Sequence, residues 1–393
     1  MNGTNRMASR QAGRNAAAGG ERQRVVVLGA GYAGLLVTRS LARHLPESAE
    51  LTLVNELDRF VERMRMHQLA TGQVLPYIPL TESMSDTGVD VVIGTVDSLD
   101  TDGRCVSLEN GRRIDYDYLV YALGSRSLRA PEGAIAVADL ESASRLRQQL
   151  SDLRSGRVVV VGGGLTGLET VSEIAERRND LDVHLISRGA VDAGMTPGAG
   201  RRTRASLHAL GVSVREGVRV EAGSDGGFHE VDADGNARRL NADLVIWSVG
   251  FIASALAANA GLRVDRQRRV IVDDRLRSID DPRIYAIGDA GVIDGPDGLA
   301  RMSCQTAVVM ASWLGRRLGR EIAGKPVQAH HPRFVWRNMS LGRRDGITQF
   351  THWDDRPLPI FLSGRTAARF KELVNYFVTW QVTGLRPRRK AVV

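Results

Sequence analysis

Residues 25–34 read Val-Val-Val-Leu-Gly-Ala-Gly-Tyr-Ala-Gly, and residues 158–167 read Val-Val-Val-Val-Gly-Gly-Gly-Leu-Thr-Gly. Each stretch is a short apolar run, typical of a buried strand, that ends in a Gly-x-Gly-x-x-Gly turn. A helical run follows each turn, and a second apolar strand follows at 51–54 in the first copy and at 183–186 in the second. The chain therefore contains two copies of one strand, glycine turn, helix and strand unit.

The glycine spacing has a physical cause. The first glycine allows a tight turn out of the strand, the second lets a pyrophosphate approach the backbone, and the third lets the helix pack closely on the strand. The N-terminus of that helix then points at phosphate. One such turn is a weak signal, but two in the same context predict two dinucleotide sites. Two sites in one chain suggest an electron donor and an acceptor, a nicotinamide and a flavin.

Composition limits the classes of protein that fit. The chain has 393 residues, of which 42 are glycine and only 5% are aromatic. These values disfavour coiled coils, collagen-like repeats and disulfide scaffolds. Cys105 and Cys304 are the two cysteines and form no Cys-x-x-Cys pair. Neither a dithiol redox centre nor a cysteine zinc site is expected, and we predict a cytoplasmic α/β protein without a metal.

The net charge and the composition of individual segments limit which binding partners and which cellular location are expected. A net charge of +8 can attract nucleotides, anionic lipids or nucleic acid, but it identifies none of them. The sequence lacks a zinc finger, a helix-turn-helix signature and a basic stripe with interleaved aromatics, so no nucleic-acid partner is predicted. Residues 1–24 are small, polar and basic, which predicts a disordered tail rather than a signal peptide. No apolar run is long enough to predict a transmembrane helix.

Three further motifs resemble the flavoprotein reductases that carry two dinucleotide-binding domains. Residues 116–124, Tyr-Asp-Tyr-Leu-Val-Tyr-Ala-Leu-Gly, are similar to the strand and glycine that return the chain from their first domain. Residues 243–250 are similar to the equivalent strand of the nicotinamide half. Residues 284–290, Ile-Tyr-Ala-Ile-Gly-Asp-Ala, are similar to their second flavin motif, in which the Asp reaches the ribityl hydroxyls of FAD. The resemblance covers residues 25 to about 320.

Within that superfamily the chain most resembles type II NADH:quinone oxidoreductases. It lacks the redox dithiol of the glutathione and thioredoxin reductase relatives, so the flavin is expected to pass electrons directly to an acceptor. Residues 162–169, with Glu173 four positions on, are similar to the second glycine turn and helix of the type II enzymes. Residues 303–307, Ser-Cys-Gln-Thr-Ala, stand where that family carries an Ala-Gln pair beside the flavin and quinone.

The resemblance implies a fold of the α/β class. It consists of two Rossmann-like nucleotide-binding domains of the glutathione-reductase type, with the NAD(P) domain inserted in the FAD domain, and a small α+β C-terminal region. The expected FAD-binding domain comprises residues 25–128 and 264–328. Residues 129–263 form the expected NAD(P)H-binding domain, and residues 329–393 form the C-terminal region.

The motifs and the resemblance also name site residues. Glu169 and Gln305 are the predicted catalytic residues. The predicted cofactor-binding residues are Gly29, Gly31, Tyr32, Ala33, Gly34, Asn55, Glu56, Arg63, Ala122, Gly124, Gly162, Gly164, Leu165, Thr166, Gly167, Ser187, Arg188, Gly250, Gly288, Asp289, Gln305 and Thr306. The implied cofactors are FAD and NAD(P)H.

The residues that follow the second strand of each copy carry a preference between nucleotides. A carboxylate at that position usually holds an adenosine ribose diol. The first copy has Asn55 followed by Glu56, and either of them can accept a hydroxyl hydrogen bond, so the choice stays open. The second copy has Ser187 followed by Arg188, which removes the repulsion against a 2′-phosphate and adds a guanidinium that can bind one. We therefore predict that NADPH is at least tolerated, although an exposed Arg is often only solvated surface.

Several other side chains have two interpretations. By resemblance Glu169 points toward the nicotinamide carboxamide and the flavin edge, whereas its alternative role is to complement the helix dipole. Glu173 is expected to be structural. His67 is expected to be a structural histidine, with flavin tuning as the alternative, and Cys304 to be a small buried hydrophobe. Gln305 and Thr306 are expected to offer backbone N–H groups to the pyrimidine edge of reduced flavin.

The C-terminal region contains a stripe of apolar residues at helical spacing. It lies within residues 370–380 and is followed by Arg386, Arg388, Arg389 and Lys390. The pattern is typical of an interfacial membrane helix. Because only about three turns are expected, packing on the flavin domain or homodimer formation is favoured over peripheral membrane contact.

The expected function is an FAD-dependent NAD(P)H dehydrogenase that passes electrons to a quinone or quinone-like small molecule. Two alternatives of the enzyme class stay open, a soluble tailoring flavoprotein of secondary metabolism and a ferredoxin-type reductase. A third alternative, from a different class, is an NAD(P)H-sensing interaction protein resembling apoptosis-inducing factor. The expected location is the cytoplasm, with the cytoplasmic face of a membrane as the alternative.

Overall fold

The computed structural model describes residues 22–293, 301–331 and 333–386. The first strand begins at Gln23, so the predicted tail overlaps it by two residues, and residues 1–21 of that tail lie outside the described residues. Three of the four basic residues predicted to flank the C-terminal helix, those at 388–390, also lie outside them.

The strands are numbered in chain order. Those of the first part of the chain are β1 Gln23–Leu28, β2 Ala49–Asn55, β3 Arg59–Phe60, β4 Ile78–Pro79, β5 Asp90–Ile93, β6 Val96–Asp100, β7 Cys105–Leu108, β8 Arg113–Asp115, β9 Tyr118–Tyr121 and β10 Ser125–Ser127. The next are β11 Ala134–Ala136, β12 Gly156–Val161, β13 Leu181–Ser187, β14 Ser213–Glu216, β15 Arg219–Ala222, β16 Phe228–Val231, β17 Ala237–Arg239, β18 Leu244–Trp247 and β19 Phe251–Ala253. The last are β20 Val270–Val272, β21 Ile284–Ala286, β22 Gly291–Ile293, β23 Trp336–Ser340, β24 Gly346–Thr351 and β25 Pro357–Ser363.

The helices are numbered in the same way. They are α1 Tyr32–His44, α2 Met66–Ala70, α3 Leu80–Ser83, α4 Leu140–Asp152, α5 Leu165–Arg177, α6 Pro197–Ala209, α7 Leu256–Asn259, α8 Cys304–Ile322 and α9 Gly364–Thr383. Two short 3-10 helices, Arg63–Arg65 and Gly288–Ala290, lie between strands and helices.

The first glycine turn follows strand β1, which belongs to a five-stranded parallel sheet of order β21-β9-β1-β2-β5. Val25–Leu28 of β1 are buried, because parallel strands with helices on both faces have no solvent side, and this is why they read as an unbroken apolar run. Strand β21 pairs with β9 although some 160 residues separate them along the chain. The sheet therefore draws on both segments that the sequence groups into one domain, whose boundaries stay a prediction.

The second glycine turn follows strand β12, which belongs to a second five-stranded parallel sheet. Its order is β11-β18-β12-β13-β14, and again all its pairs are parallel. In both sheets the glycine turn follows a central strand, with the return strand on one side and the second strand of the unit on the other. The carboxyl ends of such strands form the crevice where ligands bind in open α/β sheets.

The C-terminal region is an antiparallel sheet of order β23-β24-β25 with helix α9 packed against β24. With the two parallel sheets, this region confirms the predicted fold class of two Rossmann-like domains and a small α+β part. Helix α9 spans 20 residues, so the expectation of about three turns was wrong. It ends at Gly384, which has the left-handed conformation that terminates many helices.

Two helices pack closely beside the first glycine turn. Helices α1 and α8 lie against each other along much of their length. A Cβ on Gly315 would overlap Ser40, and a Cβ on Gly319 would overlap the carbonyl oxygen of His44. These two glycines therefore let the backbones approach closely. This packing places the start of α8 beside the first glycine turn, where both border the same space.

Candidate active site

A cavity of about 1030 Å³ lies between the two glycine turns and the C-terminal region. Most predicted site residues line it. These are Gly31, Tyr32, Ala33, Arg63, Ala122, Gly124, Gly162, Gly164, Leu165, Thr166, Glu169, Ser187, Arg188, Gly250, Asp289 and Gln305. The predicted residues that do not line it are Gly29, Gly34, Asn55, Glu56, Gly167, Gly288 and Thr306.

The glycines of the two turns have separate tasks. Gly29 and Gly162 have φ angles of +94° and +118°, which L side chains rarely adopt. A Cβ on Gly34 would overlap the carbonyl oxygen of Gly29, so only glycine lets α1 start this close to β1. A Cβ on Gly31 would meet no atom within 4 Å, so this glycine faces open space.

The second turn repeats this arrangement. A Cβ on Gly167 would overlap the carbonyl oxygen of Gly162, and a Cβ on Gly164 would meet nothing within 4 Å. Helix α5 starts here, and its first residues carry no side-chain cap, which leaves backbone N–H groups directed at the cavity. An open cradle of this kind at each helix N-terminus fits the pyrophosphate of a dinucleotide.

The two strand ends differ in chemistry. Asn55 Oδ1 accepts a hydrogen bond of 2.7 Å from the backbone N–H of Ala30, and its Nδ2 donates one of 2.7 Å to the carbonyl of Leu57. Asn55 therefore ties the glycine turn to the strand end, while Glu56 beside it is exposed. In the second copy the hydroxyl of Ser187 packs against Gly163, and Arg188 is exposed at the rim of the cavity.

The second flavin motif meets the start of β10, just after the return strand of the first sheet. Ser125 Oγ donates a hydrogen bond of 2.6 Å to Asp289 Oδ2, and this leaves the other carboxylate oxygen of Asp289 for a ligand in the cavity. The guanidinium of Arg63 donates to the carbonyls of Ala138 and Ser125. Arg63 thus joins the start of β10 to the segment after β11 at the cavity wall.

The start of α8 forms another part of the wall. Ser303 caps the helix by accepting a hydrogen bond of 3.2 Å from the N–H of Thr306. Because its N–H is used there, Thr306 shapes the helix start instead of facing the cavity. Gln305 lines the cavity, and its Oε1 accepts from Arg301 at 3.2 Å. Burial lowers the pKa of the Arg301 guanidinium to about 10. Cys304 also lines the cavity wall, and burial raises the pKa of its thiol, so the thiol stays protonated.

A polar cluster surrounds Glu169 at the inner end of the cavity. Glu169 Oε1 contacts Lys371 Nζ and accepts a hydrogen bond of 3.0 Å from the N–H of Ser340. Its Oε2 lies 3.7 Å from His67 Nδ1. Lys371 and His67 are both buried, and four elements supply the cluster, namely α5, α2, α9 and β23. Glu169 is therefore held by side chains and backbone of other elements, while its alternative role of complementing the helix dipole stays a prediction.

Burial sets the charge states in this cluster. Desolvation lowers the pKa of Lys371 to about 7, with Glu372 acting in the opposite direction. Desolvation also lowers the pKa of His67 well below its usual value, and the cations of Lys371 and Arg343 act in the same direction. His67 is therefore neutral near pH 7. Lys371 is present in both its protonated and its neutral form near that pH.

A second set of ion pairs lies behind the cluster. Glu173 is fully buried, and its carboxylate accepts from Arg343 Nε at 2.7 Å and from Gln73 Nε2 at 2.6 Å. Burial raises the pKa of Glu173, while Arg343 counteracts the shift. Arg343 also reaches Glu372 at 3.2 Å. Glu173 thus holds Arg343 from inside the protein, which is a structural contact.

Sequence reasoning missed the polar members of the C-terminal region. Lys371 and Asn375 line the cavity, and Thr379 and Thr383 continue the same buried face of α9. The four recur at intervals of four residues, which is the signature of one helix face. In the sequence, this polar row beside the apolar stripe was the signal that could have predicted a buried polar face on α9.

The apolar stripe of α9 does not pack on the flavin domain as a whole. Phe370 lies edge-on against Trp336, and Val374 lines the cavity. Leu373, Phe377 and Trp380 are 50%, 49% and 41% exposed, respectively. These three side chains are therefore not packed on the flavin domain, whereas homodimer formation, the other half of the expectation, stays a prediction.

Comparison with known proteins places this site in a family. The family model of the pyridine nucleotide-disulphide oxidoreductases matches residues 23–311. The chain belongs to this family. An NADH dehydrogenase-like protein of Mycobacterium tuberculosis is 33% identical over 381 residues, which cover 90% of this chain and 93% of that protein. The type II NADH:quinone oxidoreductase of the same organism is 26% identical over 420 residues, which cover 94% of this chain and 89% of that protein.

Solved structures show the same fold. The sulfide:quinone oxidoreductase of Aquifex aeolicus matches with a TM-score of 0.80 at 19% identity, covering 92% of both chains. The NDH2 of Plasmodium falciparum matches with a TM-score of 0.77 at 15% identity, covering 92% of this chain and 96% of that one. The predicted resemblance is confirmed. So are the predicted enzyme class and cofactors, because this family member is an oxidoreductase that binds FAD and takes electrons from NAD(P)H.

Proposed function

We propose that this chain oxidises NAD(P)H through FAD and reduces a quinone. The observation that carries the proposal is that both glycine turns and the buried Lys371–Glu169 pair line one cavity. Overall, NAD(P)H, one proton and a quinone give NAD(P)⁺ and a quinol, so each turnover takes one proton from solvent. FAD supplies the step between a hydride donor and a two-electron acceptor. The protein must hold the partners in place and supply the proton.

Cofactor placement follows from the two halves of the chain. We assign FAD to the first turn, with Asp289 at its ribityl hydroxyls and Glu56 at its adenosine ribose. Glu56 is the better ribose ligand because both ends of the Asn55 amide already bond to the backbone. We assign NAD(P)H to the second turn, with Gln305 and Glu169 at the place where the two rings meet.

Lys371 and Glu169 are the proposed proton source for the acceptor. Their side chains touch in the cavity, and Ser340 fixes the carboxylate through its backbone N–H. A group whose pKa lies near the working pH is an effective proton donor, and Lys371 meets that condition at about 7. His67, held neutral beside Glu169, orients the carboxylate.

The pH dependence of turnover tests this assignment. Since Lys371 carries its proton below about pH 7 and loses it above, the rate with menadione should fall as pH rises through about 7. Lys371→Met should lower kcat with menadione about a hundredfold. Lys371→Arg keeps the charge and should remove that pH limb. Ferricyanide accepts electrons without protons and is the control. The same pH limb with ferricyanide would contradict the assignment.

Steady-state kinetics with purified protein test the function itself. We expect a flavin absorption band near 450 nm and rapid NAD(P)H oxidation that depends on menadione. A long-lived charge-transfer complex with NAD(P)H and little turnover would overturn the proposal in favour of a nucleotide sensor. Rapid reduction of a ferredoxin, with no response to menadione, would overturn it in favour of the ferredoxin-type reductase.

We also propose that the second site accepts NADPH. Arg188 is exposed at the cavity rim, and Arg219 and Glu221 of β15 line the same end, joined by an ion pair of 2.9 Å. The strand end offers a hydroxyl, Ser187, in place of a carboxylate. A 2′-phosphate would therefore meet guanidinium groups, and the residue at the carboxyl end of β13 is not a carboxylate that would repel it.

We propose further that α9 attaches the protein to a membrane surface at the cytoplasmic face. Leu373, Phe377 and Trp380 form an exposed apolar row on the helix that borders the cavity, and Arg386 follows it. An amphipathic helix with this pattern lies in the headgroup layer. No helix within the described ranges is long and apolar enough to cross a bilayer.

Vesicle co-sedimentation separates membrane attachment from homodimer formation. The variant Leu373→Ser, Phe377→Ser, Trp380→Ser should lose most binding to vesicles that contain anionic lipid. Trp353→Ser removes an aromatic side chain that is 67% exposed in the turn between β24 and β25, outside α9, and is the matched control. The contrary result is a parent protein that does not bind vesicles and forms a dimer that the triple variant does not form. That result would show that the exposed row is a dimer interface.

A further inference from the structure

A buried amide in the cavity wall has no protein partner. Asn375 is only 2% exposed, lines the cavity, and its Nδ2 has no hydrogen-bond partner among the residues that the structure describes. An unpaired buried donor costs about 1–3 kcal/mol, so such groups are uncommon in native proteins. A donor kept at this cost is explained by a ligand that supplies the missing acceptor.

The surroundings of Asn375 define that ligand. Asn375 lies one helical turn after Lys371, and Val374 and Val378 of the same helix also line the cavity. The exposed side of this helix carries Leu373 and Phe377. A molecule that enters along α9 thus passes apolar side chains first and then meets two donors, an amide and an ammonium. An apolar ring with carbonyl oxygens satisfies this order of groups.

We propose that Asn375 Nδ2 donates a hydrogen bond to a carbonyl oxygen of the quinone. This inference rests on the proposed function and specifies how its acceptor is held. The amide does not titrate, so it binds the acceptor at any working pH, whereas Lys371 one turn away carries the proton. Asn375 therefore acts through affinity and orientation, and Lys371 acts through proton transfer.

Stability and acceptor affinity should respond to Asn375 in opposite ways. Asn375→Leu has nearly the same shape and removes an unsatisfied donor, so the melting temperature should stay unchanged or rise. The KM for menadione should rise about tenfold, as expected for one lost hydrogen bond. Flavin content, anaerobic reduction of FAD by NAD(P)H and ferricyanide turnover should stay unchanged, because none of them uses the quinone carbonyl.

Thr379→Val is the matched control on the same helix face. Thr379 is equally buried, but its hydroxyl donates a hydrogen bond of 2.8 Å to Glu62 and does not line the cavity. Its loss should lower the melting temperature and leave the KM for menadione unchanged. The two variants together separate a ligand contact from a structural one.

Three results would overturn the inference. Asn375→Leu that lowers flavin content or ferricyanide turnover would assign the amide to FAD. An unchanged KM for menadione would show that the quinone does not touch it, and a large loss of stability would show that the amide is structural. A parent protein that reduces ferricyanide but not menadione would instead refute the proposed function, so the two failures are distinguishable.

Discussion

The two glycine turns share a sequence pattern and a backbone path but differ in exposure. In the first, Tyr32 and Ala33 are buried, and the ring of Tyr32 packs edge-on against Phe60 at 5.1 Å between centroids. In the second, Leu165 is exposed and Thr166 is half-buried. A cofactor in the first turn is enclosed by protein, whereas one in the second is reached from solvent. With FAD assigned to the first turn and NAD(P)H to the second, as proposed above, the same motif would serve a resident cofactor and one that exchanges at each turnover.

The strand ends add a second difference between the turns. Asn55, at the end of β2, accepts a hydrogen bond from the N–H of Ala30, so this hydrogen bond stabilises the first turn. Ser187 contacts the second turn through packing against Gly163. Asn55 thus has its amide bonded within the fold, whereas Ser187 and Arg188 at the second strand end line the cavity. Variants placed at equivalent positions test this contrast.

The third glycine of each turn should give the largest effects. Gly34→Ala places a Cβ on the carbonyl oxygen of Gly29 inside a buried turn, so we expect insoluble or colourless protein. Gly167→Ala makes the equivalent overlap in the exposed turn. It should keep the absorption near 450 nm but weaken reduction by NAD(P)H at least about tenfold. Anaerobic titration of each purified variant measures both quantities.

Gly164→Ala is the control for these variants. Its Cβ projects into open space, so the fold should be unaffected while the approach of a pyrophosphate is hindered. If Gly34→Ala kept its flavin and Gly167→Ala lost it, the assignment of the two cofactors to the two turns would have to be reversed.

Exchanging the second strand end should give an intermediate effect. Ser187→Asp with Arg188→Leu supplies a carboxylate for a ribose diol and removes the guanidinium from a 2′-phosphate. We expect kcat/KM for NADPH to fall about tenfold or more while that for NADH is retained or improved. Asn55→Asp is the matched change in the first copy and should leave the ratio of the two nucleotides unchanged. Equal losses with both nucleotides would show that Arg188 is only solvated surface.

Local patterns explain why the two halves were predictable. A buried parallel strand and a glycine turn each depend on neighbours in the sequence, and β1 and β12 begin within two residues of the predicted positions. Helix α9 was underestimated because its buried face is polar. An apolar periodicity reports only the segment with apolar residues and misses the turns on either side.

The polar cluster was beyond sequence reasoning for a different reason. Glu169 and Lys371 meet although some 200 residues separate them, and Arg343 joins Glu173 from the turn after β23. No local pattern encodes such pairs, because they depend on how the C-terminal sheet docks on α5. Glu169 was recognised from its place after the glycine turn, but its partners became apparent only in the folded chain.

The smallest expected effect concerns the brace within the first turn. Asn55→Ala removes the acceptor for the buried N–H of Ala30, which should lower the free energy of unfolding by about 1 kcal/mol. Ser187→Ala, the matched change in the second turn, removes a hydroxyl that packs on Gly163 and should cost less. Thermal unfolding followed by flavin fluorescence compares the two variants. Equal costs would mean that the Asn55 hydrogen bond does not distinguish the two turns, which would then differ in exposure alone.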